Sequence, residues 1–159
     1  MDNTLKVARC VQCGGTSLRD DTREDTLTVG ARTFTARLPM QVCATCGEGY
    51  IPGPSVEAFE GAVTRALVDV GASDGASIRW LRKAAGLSAA ALGGLLDVRA
   101  ETVSRWENDA TPAPRATVYA LGTLALAALH GQTSPLARLR ALAEPPPTPS
   151  GPVVLALAG

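Results

Sequence analysis

Four cysteines, all in the first third of the 159-residue chain, restrict what it can fold into. They form two Cys-x-x-Cys pairs, Cys10 with Cys13 and Cys43 with Cys46, and no other cysteine is present. Brought together, two such pairs supply the four soft thiolates of a closed tetrahedral zinc site. A glycine follows each pair, and its freedom to take positive φ lets backbone N–H groups point at the sulfurs.

Three interpretations of the cysteines are open. Structural zinc, one ion per chain, is favoured because a doubled Cys-x-x-Cys is a specific signal. Disulfides would require an oxidising compartment. A redox dithiol would be expected within a βαβ pattern, which neither pair has. A closed four-thiolate site leaves no coordination position for a reacting water, so the metal would hold the fold together without catalysing a reaction.

The 29 residues between the pairs are predicted to form a β-hairpin. Their number exceeds the spacing of about 15 to 20 residues that is common in zinc ribbons. Residues 22–29 and 33–42 are rich in Thr, Val, Leu and Phe, and they flank a turn at Gly30 and Ala31. So small a hairpin buries little apolar surface, and we therefore expect its folding to be coupled to metal binding.

The length of the chain and the change from a β-type to a helical residue pattern after residue 50 favour two small domains. They are those of an α+β protein, a zinc-stapled β domain followed by an all-α domain. The predicted parts are the β domain (1–54), a connecting helix and joint (55–75), the helical domain (76–131), and a short helix with a proline-rich tail (132–159). Net charge is zero, but residues 1–70 carry seven basic and nine acidic side chains, and residues 71–159 carry eight and six. A polyanion-binding face is therefore expected in the second part.

Several classes of protein are disfavoured by what the sequence lacks. It contains no apolar run of membrane-spanning length and no charged-then-apolar leader, which predicts a cytoplasmic protein that does not enter a membrane. A single histidine, a closed metal site and the lack of a positioned nucleophile–base pair argue against an enzyme.

The sequence after residue 50 predicts helices. Ser55 is expected to be the N-cap of a connecting helix that runs to about Val70, and Gly71–Gly75 is expected to be a flexible joint between the domains. The apolar positions of that helix recur at three- and four-residue spacing: Val56, Phe59, Val63, Leu67 and Val70.

Three shorter helices are predicted within residues 78–109. Gly86 ends the first, Ser88 caps the second, and Ala100–Asn108 forms the third. Asp97 and the residue after it make a tight turn between the second and the third. Two short helices joined by a tight turn and flanked by a supporting helix match the geometry of a helix-turn-helix.

The string LSAAALGGLLDVRAETVSRWEN, residues 87–108, is similar to the Cro/repressor-type (XRE) helix-turn-helix family. Together with the cysteine pair in the form CxxCGE, residues 7–130 resemble the MqsA family, also called YgiT-type zinc-finger/helix-turn-helix antitoxins. The resemblance implies that the zinc domain binds a small ribonuclease toxin, while the helix-turn-helix domain dimerises on a palindromic operator and represses the operon. The chain departs from the family pattern at Ala89, where glutamine is usual, at Asp97, which replaces a turn glycine, and in its proline-rich tail.

Candidate DNA-binding residues follow from the geometry of a recognition helix, whose N-terminal end faces base edges. Arg105 matches the family's base-contacting arginine and would fork onto guanine O6 and N7; a phosphate contact or a solvated side chain is the alternative. Glu101 would accept from cytosine N4 or stabilise the helix N-terminus. Phosphate contacts suit Ser88, Thr102 and Asn108. The full set is Ser88, Arg99, Ala100, Glu101, Thr102, Ser104, Arg105 and Asn108.

The same resemblance assigns structural roles to two neighbours, since it pairs Arg82 with Glu107. The helical pattern itself places Trp106 in the core.

Residues 116–129 are predicted to be a helix that is apolar nearly all round. His130 caps its end, where contact with the helix dipole is favoured over a metal. Burial on more than one face favours a symmetric homodimer over burial within one chain. A helix at 135–142 and an extended proline run at 145–149 are expected beyond it.

Two functions agree with these features. One is a DNA-binding antitoxin that represses its own operon and requires a toxin partner. The other is a stand-alone zinc-finger/helix-turn-helix transcription regulator with the same DNA chemistry and no toxin. A small basic reading frame beside the gene would favour the first.

Overall fold

A computed structural model describes residues 8–131 and Pro135. The described part is an α+β fold in which an antiparallel sheet precedes five helices. The strands are β1 (Leu18–Val29), β2 (Arg32–Cys43) and β3 (Gly49–Tyr50), and the helices are α1 (Gly53–Asp69), α2 (Gly75–Ala84), α3 (Ala89–Leu95), α4 (Ala100–Glu107) and α5 (Arg115–Leu129).

The predicted hairpin is present and is longer than the sequence suggested. β1 pairs with β2 from Leu18 opposite Cys43 to Val29 opposite Arg32, so the second cysteine pair begins where the hairpin ends. Gly30 and Ala31 form the expected turn. The sequence showed no sign of β3, a two-residue strand that pairs with β2.

One face of the hairpin packs against the helices. Along β2 the residues from Thr33 to Leu38 alternate between exposed and at least half-buried, as period-two patterning requires. Val29 and Leu38 are buried in the same apolar cluster as Phe59 of α1 and Ile78 of α2. A single cluster of buried side chains therefore includes both strands of the hairpin and all five helices.

The start of α1 differs from the prediction. The helix begins at Gly53, and its N-cap is Pro52 and not Ser55, whose N–H donates to the Pro52 carbonyl at 3.0 Å. Pro54 then falls at the second helical position, where its fixed φ and missing N–H suit the first turn of a helix. Val70 was predicted on the inner face, but it is 66% exposed because the helix ends at Asp69.

The segment predicted to be a flexible joint is closely packed. Ala72 is buried, and Asp74 caps α2 by accepting a hydrogen bond from the Ser77 amide at 3.1 Å. A side chain at Gly75 would come within 2.5 Å of the Glu107 carbonyl oxygen, so only glycine fits there. The division of the chain into separate domains remains a prediction.

Helices α3 and α4 begin where the sequence predicted, whereas α2 begins at Gly75, three residues before the predicted stretch. Ala85 and Gly86 end α2, and the Ser88 hydroxyl caps α3 by accepting from the Ala91 amide at 3.0 Å. α4 begins at Ala100 as predicted and ends at Glu107, with Asn108 as its C-cap. Between α3 and α4, Asp97 has φ +54°, the left-handed conformation that a turn glycine would adopt.

α5 spans the predicted stretch and ends at Leu129, with His130 as its C-cap. One side of the helix is in the core, including Leu121 and Ala125, while Tyr119 on another side is 79% exposed. Within the described residues, none of the helices combines the length and apolarity needed to cross a membrane. The predicted helix at 135–142, apart from Pro135, and the proline-rich tail lie outside the described residues.

Candidate metal centre and helical surface

The four cysteine sulfurs converge at the open end of the hairpin. The Sγ atoms of Cys10 and Cys46 are 3.5 Å apart, those of Cys13 and Cys43 are 3.6 Å apart, and all four lie within 4.8 Å of one another. Zinc–sulfur bonds of about 2.3 Å place the corners of a tetrahedron about 3.8 Å apart. The four free thiols therefore form a possible metal site whose donor type and spacing fit zinc.

Local hydrogen bonds shape each cysteine pair into a turn. The Gly14 amide donates to the Cys10 carbonyl at 2.8 Å, and the Gly47 amide donates to the Cys43 carbonyl at 2.9 Å. Both glycines have positive φ, +72° and +79°, as their place after each pair predicted. Turns of this kind direct later amides at the sulfurs. The first cysteine of each pair is buried, and the second is exposed.

The sulfurs differ in proton affinity. A hydrogen bond with the Tyr50 hydroxyl outweighs burial and lowers the pKa of Cys10 to about 6. The Glu48 amide also favours the Cys46 thiolate, but hydrogen bonding with Cys10 and Cys13 outweighs it and raises the pKa of Cys46 to about 12. Four thiolates this close cannot all ionise without a compensating cation, which a divalent metal would supply.

Tyr50 was not singled out in the sequence. Its hydroxyl oxygen lies 3.1 Å from the Cys10 sulfur and accepts a hydrogen bond from the Val11 amide at 2.9 Å. A tyrosine four residues after a cysteine pair carries no recognisable signal by itself, because the contact depends on β3 bringing it to the other pair.

The residues predicted to bind DNA lie on or beside α4. Its outer side carries the exposed Glu101, Ser104 and Arg105, while its inner side carries the buried Val103, Trp106 and Glu107. Trp106 is buried, as expected. Within the predicted set, Ser88, Arg99, Glu101, Ser104, Arg105 and Asn108 are exposed, while Ala100 and Thr102 are half-buried.

Two predicted phosphate contacts already have intramolecular partners. The Ser88 hydroxyl caps α3. The Asn108 side chain donates to the Ser104 hydroxyl at 3.3 Å and accepts from Arg79 at 2.9 Å. Ser88 keeps its hydroxyl proton for an outside acceptor, whereas Asn108 is more fully engaged in holding the end of α4.

A buried ion pair joins α2 to α4. Arg82 donates to both carboxylate oxygens of Glu107, at 2.5 and 3.2 Å, which confirms the pairing that the resemblance implied. Arg79, which the sequence did not single out, donates to the same carboxylate at 3.2 Å. Burial raises the pKa of Glu107, but hydrogen bonds and charge from Arg82 and then Arg79 outweigh it, so the pKa is held below its ordinary value.

These observations define a class of protein, an α+β chain with a four-cysteine candidate metal site at the end of a hairpin and five helices packed against it. The sequence model of the family described as the antitoxin component of a bacterial toxin-antitoxin system, MqsA, matches residues 8–127. The chain therefore belongs to the MqsA antitoxin family. The match takes in all four cysteines and α1 to α4, and it stops within α5. No curated protein matches the chain.

Proposed function

We propose that the protein is the DNA-binding antitoxin of a type II toxin–antitoxin system, a cytoplasmic, non-enzymatic repressor of its own operon. The observation that carries this proposal is the family match over residues 8–127, which spans both the cysteine cluster and the exposed side of α4. Each of these surfaces suits a different partner.

The cysteine cluster would bind one structural zinc ion per chain through Cys10, Cys13, Cys43 and Cys46. The ion would join the loop before β1 to the end of β2, because each supplies two ligands. When bound, the metal would neutralise the crowded thiolates and fix the end of the hairpin.

α4 would be the recognition helix of a helix-turn-helix. Its outer side carries Arg105 as the candidate for a bidentate contact to guanine, with Arg99, Ala100, Glu101, Thr102 and Ser104 beside it and Ser88 placed for phosphate. The Arg82–Glu107 pair supports this arrangement by holding α4 against α2. A homodimer would present two such helices to a palindromic operator.

The hairpin would bind a small ribonuclease toxin. Among the described strands β1 lies at the edge of the sheet, and it carries two arginines and four acidic residues, Asp20, Asp21, Glu24 and Asp25. A net acidic edge suits the basic surface that a ribonuclease needs for its own substrate.

The DNA part of the proposal is tested on the full chain with the promoter DNA upstream of its gene. Arg105→Ala should cost about 1 to 3 kcal/mol of binding to that promoter and much less on random duplex. Arg65→Ala, which removes an exposed arginine from α1, is the matched control. Equal weakening on both duplexes, with a salt slope lowered by about one, would reassign Arg105 to phosphate.

The toxin part is tested by isolating the protein from its native host and identifying what co-purifies by mass spectrometry. A small basic protein encoded beside this gene is the expected partner. If only DNA co-purifies, the protein is a regulator without a toxin, and the hairpin has another role.

A further inference from the structure

We propose that Tyr50 supports the metal site by donating a hydrogen bond from its hydroxyl to the metal-bound Cys10 thiolate, which strengthens metal retention. The inference rests on the zinc site of the proposed function and assigns a role to a residue outside the four ligands.

The direction of the hydrogen bond follows from the three atoms involved. The Tyr50 oxygen lies 2.9 Å from the Val11 amide nitrogen and 3.1 Å from the Cys10 sulfur. An amide N–H can only donate, so the tyrosine oxygen accepts from Val11 and has its own proton left to give. A metal-bound thiolate has no proton, so the sulfur can only accept.

The position of Tyr50 is set by the sheet. β3 follows the second cysteine pair and is aligned by Tyr50 pairing with Gln41 of β2. This strand brings the ring to the first cysteine pair, 40 residues earlier in the chain. The first pair lies outside any strand or helix, so the Tyr50 contacts connect that turn to the sheet.

The hydroxyl proton matters because the site is crowded with negative charge. Four thiolates around a divalent ion leave a net charge of −2, and each hydrogen bond to a sulfur disperses part of it. Cys10 is only 2% exposed, so water cannot readily replace the tyrosine as a donor. Loss of the hydroxyl should therefore weaken the hold on the metal.

The experiment uses the full chain as wild type, Tyr50→Phe and Tyr119→Phe. The last is a matched control because it makes the same change at the chain's other tyrosine, exposed on α5. The rate of zinc release to a chromophoric chelator should rise about tenfold in Tyr50→Phe and stay unchanged in Tyr119→Phe.

A spectroscopic measurement separates donation to sulfur from a purely structural tie. In the cobalt(II)-substituted protein, the sulfur-to-metal charge-transfer band should move to lower energy in Tyr50→Phe, because a sulfur without a donor holds its electrons less tightly. Faster zinc release with an unmoved charge-transfer band would show that Tyr50 only holds the first cysteine turn in place. That result would overturn the inference.

Fluorotyrosine in the Tyr119→Phe background gives a test that does not depend on the folding of Tyr50→Phe. The label then sits at Tyr50 alone, its more acidic hydroxyl is a stronger donor, and the band should move to higher energy. An unmoved band would contradict donation to the sulfur. Wild-type protein that retains no metal when purified without chelator would instead overturn the zinc site, and this inference with it.

Discussion

At the scale of single residues, Glu107 has an unusual position for a carboxylate. Its side chain is 7% exposed and is shared by Arg82, which is 12% exposed, and Arg79, which is 46% exposed. Breaking a buried pair leaves an uncompensated charge, whereas an exposed arginine is readily replaced by water. Because both arginines pair with the same carboxylate, substituting each in turn compares a buried ion pair with an exposed one.

Arg82→Ala should lower the free energy of unfolding by about 3 to 5 kcal/mol, and Arg79→Ala by about 1 kcal/mol or less. Urea unfolding of the full chain near neutral pH measures both. Equal effects of the two substitutions would show that burial of Arg82 does not set the strength of the pair.

Lowering the pH should remove the contribution of Glu107 to the stability of the folded chain. Its pKa is lower in the folded chain than in the unfolded one, so its stabilising effect is present above the unfolded value of about 4.3 and is lost as pH falls through the folded value. The stability of wild type should therefore decline below about pH 5 more steeply than that of Glu107→Gln. Parallel pH profiles of the two proteins would contradict this assignment.

At the scale of elements, α5 leaves part of its apolar surface uncovered. A groove of about 620 Å³ lies between α5 and the end of α1, with Val118, Gly122 and Leu126 on one wall and Leu67 and Val68 on the other. Tyr119 stands at its edge, and an exposed aromatic side chain at an apolar groove is typical of an interface. The predicted homodimer would cover this surface.

Tyr119→Ser should weaken the dimer by about 2 kcal/mol or more if this side chain is central to the interface. Light scattering on the full chain across a concentration series provides the measurement, since α1 contributes to the same core as α5. Val11→Ser, which changes another highly exposed apolar residue on the first cysteine turn, should leave the mass unchanged. A wild-type monomer at tens of micromolar would place any interface elsewhere.

At the scale of the whole molecule, the hairpin is anchored at both ends. The cysteine cluster lies at its open end, and at its turn Arg32 donates to the Asp74 carboxylate at 2.5 Å while Val29 is buried in the helical core. Asp74 also caps α2, so one carboxylate serves both the hairpin and the helices. The hydrogen bonds with Ser77 and Arg32 outweigh burial and lower its pKa.

Removing the proposed zinc ion should therefore loosen only one end of the molecule. We expect a chelator, or Cys43→Ser, to abolish zinc binding and expose the amides near the cysteines to hydrogen exchange, while Val29, Leu38 and the helices stay protected. Hydrogen exchange followed by mass spectrometry makes the comparison. Loss of protection throughout the chain would instead support folding coupled to metal over the whole hairpin.

The sequence by itself determined the features that depend on neighbours along the chain. The turns after the cysteine pairs need the positive φ of Gly14 and Gly47, Ser88 is a favourable cap, and the spacing of Val103 and Trp106 places them on one side of α4. Such features are readable because a backbone conformation or a helical period constrains which residue types can occupy nearby positions. The resemblance added the pairing of Arg82 with Glu107.

Only the tertiary structure decided which distant residues meet. Arg32 and Asp74 are 42 positions apart, Tyr50 and Cys10 are 40 apart, and Arg79 reaches Glu107 across 28. None of these side chains is unusual in its local sequence, because arginine, aspartate and tyrosine occur on any surface. Their contacts arise from how the hairpin turn packs on the helices and where β3 pairs with β2, and long-range packing of this kind leaves no periodic signal in the chain.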